Sequence, residues 1–268
     1  MEWSEIAGII DERERIDAIY NKLDESKRLK QENSSWVEYL VIMSFLNKIC
    51  VPNNKIIDIG AGTGAYSIPL ADMGNEITAI DLVENNLNKL KEQIKAKHRI
   101  ECFIADARNL INMPNETYDI SLLMGPLYHL FSIEDRIKAI REALRVLKKG
   151  GYIFLTFMNN DLAPFFMMKS QSDYFTSNAY NCLDYRAESR LYVFHTIEEI
   201  REICNKVNIK ICNEVAVDGL SLIYHKEIDK MEDLEFNNYM KHQMYLCEKK
   251  EFLAASSHIL VIGQKSNI

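Results

Sequence analysis

The run Asp58-Ile59-Gly60-Ala61-Gly62-Thr63-Gly64 follows the apolar stretch from Lys55 and precedes a segment with helical character. Glycines let a chain turn sharply from strand to helix and leave room for a ligand against the main chain. The helix start that follows offers free N–H groups. Two kinds of ligand suit such a turn. A dinucleotide sets its pyrophosphate there, and Gly60-x-Gly62-x-x-Ala65 satisfies that spacing. S-adenosylmethionine, which has no phosphate, lays its amino-acid end on the same loop. Asp58 favours the second, because a carboxylate repels a pyrophosphate and attracts an ammonium group.

Two more acidic residues follow in order. Asp81, next to Leu82, comes about 20 residues after the first glycine, the position from which a carboxylate accepts both hydroxyls of an adenosine ribose. Asp106-Ala107 follows the apolar Phe103-Ile104. There Asp106 can accept from an adenine amino group while Ala107 offers its backbone N–H. The loop Met124-Gly125-Pro126-Leu127-Tyr128-His129-Leu130 adds the groups that could act on a second substrate. His129 is a candidate general base near neutral pH, and Tyr128 a candidate for orienting a nucleophile. Tyr20 and Trp36 are aromatic residues that could reach the same pocket from the N-terminal segment.

These residues need a scaffold that brings strand ends together. From Lys55 onward strands and helices alternate. Strands are expected over Lys55–Ile59, Glu76–Ile80, Ile100–Ile104, Tyr118–Met124 and Tyr152–Phe157, and helices over Ala65–Met73, Val83–Lys97 and Ile133–Leu147. Alternation of this kind implies a parallel sheet covered on both faces. Gly150-Gly151 ends the last of these helices. Thr196–Val207 reads as a helix with a capping box of Thr196 and Glu199. Ile209–Val217 and His258–Gln264 read as strands, and Met231–Lys249 as a helix. Ahead of the sheet, apolar residues recur at helical spacing from Ile6 to about Leu29 and from Ser35 to Cys50. Residues 1–50 are therefore expected to form a helical cap on a domain of residues 51–268. Residues 159–194 lack a clear period and are rich in Met, Phe and Tyr, which suggests an inserted lid or substrate wall.

The glycine turn, Asp81, Asp106-Ala107, Tyr118-Asp119-Ile120 and Leu144-Arg145-Val146-Leu147-Lys148-Lys149-Gly150-Gly151 together resemble a class I S-adenosylmethionine-dependent methyltransferase. The last run is similar to that family's LRVLKPGG signature, with Lys149 where proline is usual. The resemblance covers Lys55 to Phe157. It implies an α/β Rossmann-like fold: a seven-stranded, mostly parallel sheet with one antiparallel strand, His258–Gln264, and helices on both faces. It also implies S-adenosyl-L-methionine as cofactor, held by Asp58, Gly60, Ala61, Gly62, Gly64, Asp81, Leu82, Asp106, Ala107, Met124, Leu127 and Tyr20. The Gly-Pro-Leu-Tyr-His-Leu loop resembles a small-molecule-type bacterial group. Amino-methylating DNA and protein enzymes carry an Asn/Asp-Pro-Pro-Tyr loop there, and Gly125 removes its side-chain acceptor.

The expected reaction is methyl transfer to an N, O or S nucleophile of a small molecule. The alternatives are methylation of tRNA or another macromolecule and a non-catalytic S-adenosylmethionine-binding protein. A nicotinamide-dependent oxidoreductase would need a Tyr-x-x-x-Lys or similar set, and none follows strand four. The net charge of −7 disfavours nucleic acid, since phosphate binding draws its affinity from clustered Lys and Arg. The six cysteines form no Cys-x-x-Cys pair and complete no zinc pattern with histidine, so no metal is expected. Reduced thiols, an N-terminus without an apolar run and no membrane-length stretch lead to the expectation of a cytoplasmic protein.

Overall fold

The computed structural model describes residues 1–23 and 32–266. Its sheet has seven principal strands in the order β3-β2-β1-β4-β5-β10-β9. These are β1 (Lys55–Ile59), β2 (Glu76–Asp81), β3 (Arg99–Ile104), β4 (Tyr118–Leu123), β5 (Leu147–Asn159), β9 (Ile209–Ala216) and β10 (His258–Lys265). A two-residue strand, β8 (Phe194–His195), adds to the end of β5, and β6 (Tyr180–Asn181) pairs with β7 (Arg186–Ala187) apart from the sheet. β10 runs antiparallel to both β5 and β9, and the other pairs of the sheet are parallel. The α/β, mostly parallel architecture with one antiparallel strand is the one the family resemblance implies.

Both faces of the central strands are buried, so these read as near-continuous apolar runs, whereas the edge strand β3 leaves Phe103 and Ile104 exposed. The period of two still sorts them. Ile153, Leu155 and Phe157 of β5, with Ile259 and Val261 of β10, meet α6 (Ile133–Val146) and α8 (Ile197–Lys206) on one side. Phe154, Leu260 and Ile262 meet α3 (Asn33–Ile49), α4 (Ser67–Asp72) and α5 (Glu84–Gln93) on the other. Helix starts follow local chemistry. Ser132 caps α6 by accepting from the Asp135 N–H, and Thr196 and Glu199 make the reciprocal capping box of α8.

Three expectations change. The N-terminal periodicity is not one helix: α1 (Trp3–Ala7) ends at Gly8, and α2 (Glu12–Lys22) restarts after Asp11, whose carboxylate accepts from the Glu14 N–H. The stretch expected to continue to about Leu29 lies outside the described residues. α6 stops at Val146, and Leu147 passes straight into β5. Gly150-Gly151 is a bulge inside that strand rather than the end of a helix. The pairing with β4 skips from Tyr118↔Leu147 to Ile120↔Tyr152, and Gly150 has φ +72°. Finally, the segment 159–194 is not structureless: it contains α7 (Ala163–Met167), a 3-10 turn at Tyr174–Thr176 and the β6–β7 pair. The remaining helices are α9 (His225–Ile228) and α10 (Asp233–Leu246). Among the described residues no helix is long and apolar enough to cross a membrane.

Candidate active site

The strand order reverses between β1 and β4, which opens a crevice beyond their carboxyl ends. A cleft lies there whose empty space, counted out into open solvent, is about 960 Å³. The glycine turn forms its floor. Gly60 has φ +81°, and a Cβ on it would stand 2.7 Å from Pro126 Cδ, so the turn is pressed against the loop after β4. Gly62 has φ +55° with nothing within 4 Å of a Cβ position, and its bare backbone borders open space. Gly64 serves packing instead. It does not line the cleft, and a Cβ there would meet the core side chain Leu90 at 2.3 Å.

Two carboxylates enter from the strand ends. Asp58 is 3% exposed, and its Oδ2 accepts from Ser67 Oγ at 2.7 Å. Burial pushes its carboxyl up to about 6; the Ser67 bond opposes this and the nearby Asp81 charge adds to it. Asp81 accepts from the Gly62 N–H through Oδ2 and the Val83 N–H through Oδ1, each at 2.8 Å. It thus ties the turn to the end of β2 while lining the cleft.

At the far wall Asp106 is gripped by Arg108. The guanidinium donates to both carboxylate oxygens at 2.6–3.1 Å, and the Arg108 N–H adds a bond of 2.8 Å. Burial works to raise the Asp106 carboxyl, but these bonds outweigh it and hold it below its ordinary value. Arg108 also reaches Asp135 at 3.0 Å and Glu12 of α2 at 2.9 Å. α2 roofs the cleft with Glu12, Ile16 and Tyr20, one residue every fourth position along one face. The Tyr20 hydroxyl and His129 Nε2 share a hydrogen bond of 2.8 Å.

Of the residues singled out from sequence, Asp58, Gly60, Ala61, Gly62, Asp81, Leu82, Asp106, Ala107, Met124, Tyr20, Tyr128 and His129 all border this one cleft. Gly64 and Leu127 do not. Leu127 is fully buried in the core beside α6, on the turn Pro126–Tyr128. Trp36 also stays out of the wall. It packs edge-on against Tyr39, which stacks on the cleft residue Tyr66. His129 differs from its expected character. It is 4% exposed, and burial drives its imidazole down to about 4. It is neutral at physiological pH but a weak base, so it does not match a proton acceptor tuned near 7. Sequence reading missed Glu12, Ile16, Tyr66, Asn86 and Arg108. The fourfold spacing of Glu12, Ile16 and Tyr20 was the available signal for the roof.

Residues 57–155 match the family model described as a methyltransferase domain. Residues 57–155 thus carry a methyltransferase domain, set in the sheet order and glycine turn that the resemblance to class I S-adenosylmethionine-dependent methyltransferases implies. Over 118 residues it is 27% identical to a ubiquinone biosynthesis O-methyltransferase of Hydrogenovibrio crunogenus, covering 44% of this chain and 48% of that protein. Over 123 residues it is 32% identical to a glycine/sarcosine N-methyltransferase of Aphanothece halophytica, covering 45% and 46%. The chain thus spans about half the length of the curated relatives it matches. The crystal structure of magnesium protoporphyrin IX methyltransferase from Synechocystis PCC 6803, with bound S-adenosylhomocysteine, superposes with a TM-score of 0.60. It covers 96% of this chain and 100% of that one at 13% identity, a likeness of fold.

Proposed function

We propose that this chain binds S-adenosylmethionine and methylates an N, O or S nucleophile of a small molecule. The observation that carries this reading is the pair Asp58 and Asp81 in one largely buried cleft, with bare glycine backbone between them. A desolvated carboxylate whose charge is unfavourable in the empty protein gains from a cationic partner. An amino-acid ammonium fits that need, and a pyrophosphate would worsen it.

The residues then divide the work. Asp58 holds the ammonium and Gly60–Gly62 give it backbone room. Asp81 accepts from the ribose hydroxyls, and Asp106 with Ala107 meets the adenine edge. The described part of residues 1–50 acts as a cap, with α2 as the roof that excludes water. When bound, the cofactor supplies a methyl group already activated by the sulfonium, so the protein's task is alignment and dehydration. Tyr128 forms the wall facing the acceptor. His129, neutral and weakly basic, anchors Tyr20 of the roof. The segment 159–194 forms part of the substrate wall.

Calorimetric titration with S-adenosylhomocysteine tests the reading. Saturable one-site binding is expected, with no comparable binding of NADH. Absence of saturable binding overturns it. Formation of S-adenosylhomocysteine from S-adenosylmethionine across a panel of amines, phenols and thiols then distinguishes an enzyme from a non-catalytic binder.

A further inference from the structure

The wall assigned to the adenine edge gathers three carboxylates around one guanidinium. Arg108 lies on the loop after β3, and its partners come from three parts of the chain: Asp106 from the same loop, Asp135 from the first turn of α6 and Glu12 from the first turn of α2. Nη2 donates to Asp106 Oδ2 at 2.6 Å, and Nε bridges both Asp106 oxygens at 3.0 and 3.1 Å. Nη1 donates to Asp135 Oδ2 at 3.0 Å and stands 2.9 Å from Glu12 Oε1. Glu12, Asp106 and Arg108 all border the cofactor cleft.

The three partners are held unequally. With the Arg108 N–H on Oδ1 at 2.8 Å, Asp106 makes four contacts to this one residue. A carboxylate has roughly four lone-pair sites, so those of Asp106 are taken. Asp135 is set in a helix start that Ser132 caps. Glu12 meets Arg108 through one oxygen. Burial raises its carboxyl, and Asp135 and Asp106 add to the rise, so the pull of Arg108 leaves Glu12 short of positive charge.

We propose that Arg108 is a positioning residue that senses the adenine amino group at Asp106 and responds by drawing α2 down over the ligand. The proposal rests on the methyl-transfer reading above, which gives Asp106 the amino group as a donor. That hydrogen needs a lone pair that Arg108 already occupies, so the guanidinium must yield part of its grip. The Arg108 N–H bond is a local turn of the loop and stays. An amino group brings a hydrogen but no charge, so the guanidinium remains among the carboxylates and turns its released donor to Glu12. Asp135 is fixed at the start of α6, whereas Glu12 rides on the roof. Tyr20 ties the other end of α2 to His129, so the motion closes the Glu12 end of that helix. Ligand binding and closure then strengthen each other, and a weakened latch must weaken the ligand by the same factor. A base with a carbonyl in place of the amino group would not release Arg108, so the same contact favours adenine over hypoxanthine.

Two measurements test it on the whole chain. The first compares hydrogen exchange along Glu12–Lys22 at saturation with S-adenosylhomocysteine and with S-inosylhomocysteine, which carries the carbonyl. S-adenosylhomocysteine should slow exchange there at least threefold more, and Glu12→Gln should abolish the difference. Equal protection by the two ligands in the wild type overturns the proposal. The second is a cycle of variants read as S-adenosylhomocysteine affinity. Glu12→Gln should weaken binding about fivefold in the wild type and less than twofold in Arg108→Gln. An equal loss in both backgrounds would mean that Glu12 acts on the ligand without Arg108, and overturns the proposal whatever the exchange shows. Absence of S-adenosylhomocysteine binding by the wild type would instead remove the methyl-transfer reading itself.

Discussion

Asp58 is the residue at which stability and binding oppose each other most directly. Its carboxyl is held near 6 in the fold against 3.8 in the unfolded chain. The folded state therefore binds the proton more tightly, and this group costs stability above pH 6 and nothing well below 3.8. Two units correspond to about 3 kcal/mol. Asp58→Asn should thus melt at a higher temperature than the wild type at pH 7 without ligand, while binding S-adenosylhomocysteine at least tenfold more weakly. A variant with lower melting temperature and unchanged affinity contradicts the assignment. The same logic sets the sign of the pH dependence. Protonation removes the partner of the ammonium, so affinity should fall as pH drops through about 6, which titrations from pH 5 to 8 would read. The neighbouring glycines separate two other effects. Gly64→Ala places a methyl 2.3 Å from Leu90 Cδ1 at a positive φ, and should cost about 1–3 kcal/mol in denaturant unfolding. Gly62→Ala meets no protein atom within 4 Å, and should weaken ligand binding more than its modest backbone strain weakens the fold.

At the scale of elements, α2 is the piece whose behaviour its own sequence does least to fix. Eleven residues are too few for a stable helix in isolation. It is held by docking: Glu12 to Arg108, Tyr20 to His129, and Arg15 over the Phe131 ring at 5.0 Å. Burial raises the Glu12 carboxyl despite the attraction of Arg108, and that ion pair, with both side chains about a quarter exposed, is worth on the order of 1 kcal/mol. The bond between Tyr20 and the buried His129 matters more, because losing it strands a polar atom in the interior at a cost of about 1–3 kcal/mol. Tyr20→Phe should therefore raise hydrogen exchange along Glu12–Lys22 and speed S-adenosylhomocysteine release several-fold. Unchanged exchange there would show that the roof is held by other means. The contrast with β1 to β5 explains what was legible in advance. Those strands are apolar runs bounded by glycine, proline and acidic residues, so local pattern located them and the carboxylates at their ends. The break at Gly8 was hidden because Ile9 and Ile10 continue the apolar spacing. Arg108 was hidden because its three carboxylate partners come from α2, the end of β3 and α6. Asp218 and His258 pair only because β9 and β10 lie side by side across 40 residues of chain. No local spacing announces such a contact.

The whole molecule gathers Asp58, Asp81, Asp106, Tyr20, Tyr128 and His129 at one edge of a single sheet, above a core that packs against both of its faces. That arrangement couples the cleft to global stability. The glycine turn donates to Asp81 at the end of β2, Gly60 presses on Pro126 after β4, and α2 closes over both. A ligand that neutralises the repulsion between Asp58 and Asp81 and fills the space under α2 binds the folded chain and not the unfolded one. At 100 times its dissociation constant such a ligand stabilises the fold by about 2.7 kcal/mol. For a chain of this size that corresponds to a rise in Tm of roughly 5–10 °C. S-adenosylhomocysteine should give this shift in a thermal melt, whereas NADH at the same concentration should give none, since its pyrophosphate would meet the carboxylate of Asp58. The shift should shrink from pH 7.5 to pH 5.5 as Asp58 takes up its proton, and Asp58→Asn should show a small shift at both values. A pH-independent shift in the wild type would mean that the ligand is held by contacts other than the buried carboxylate, and would move the ammonium site away from the end of β1.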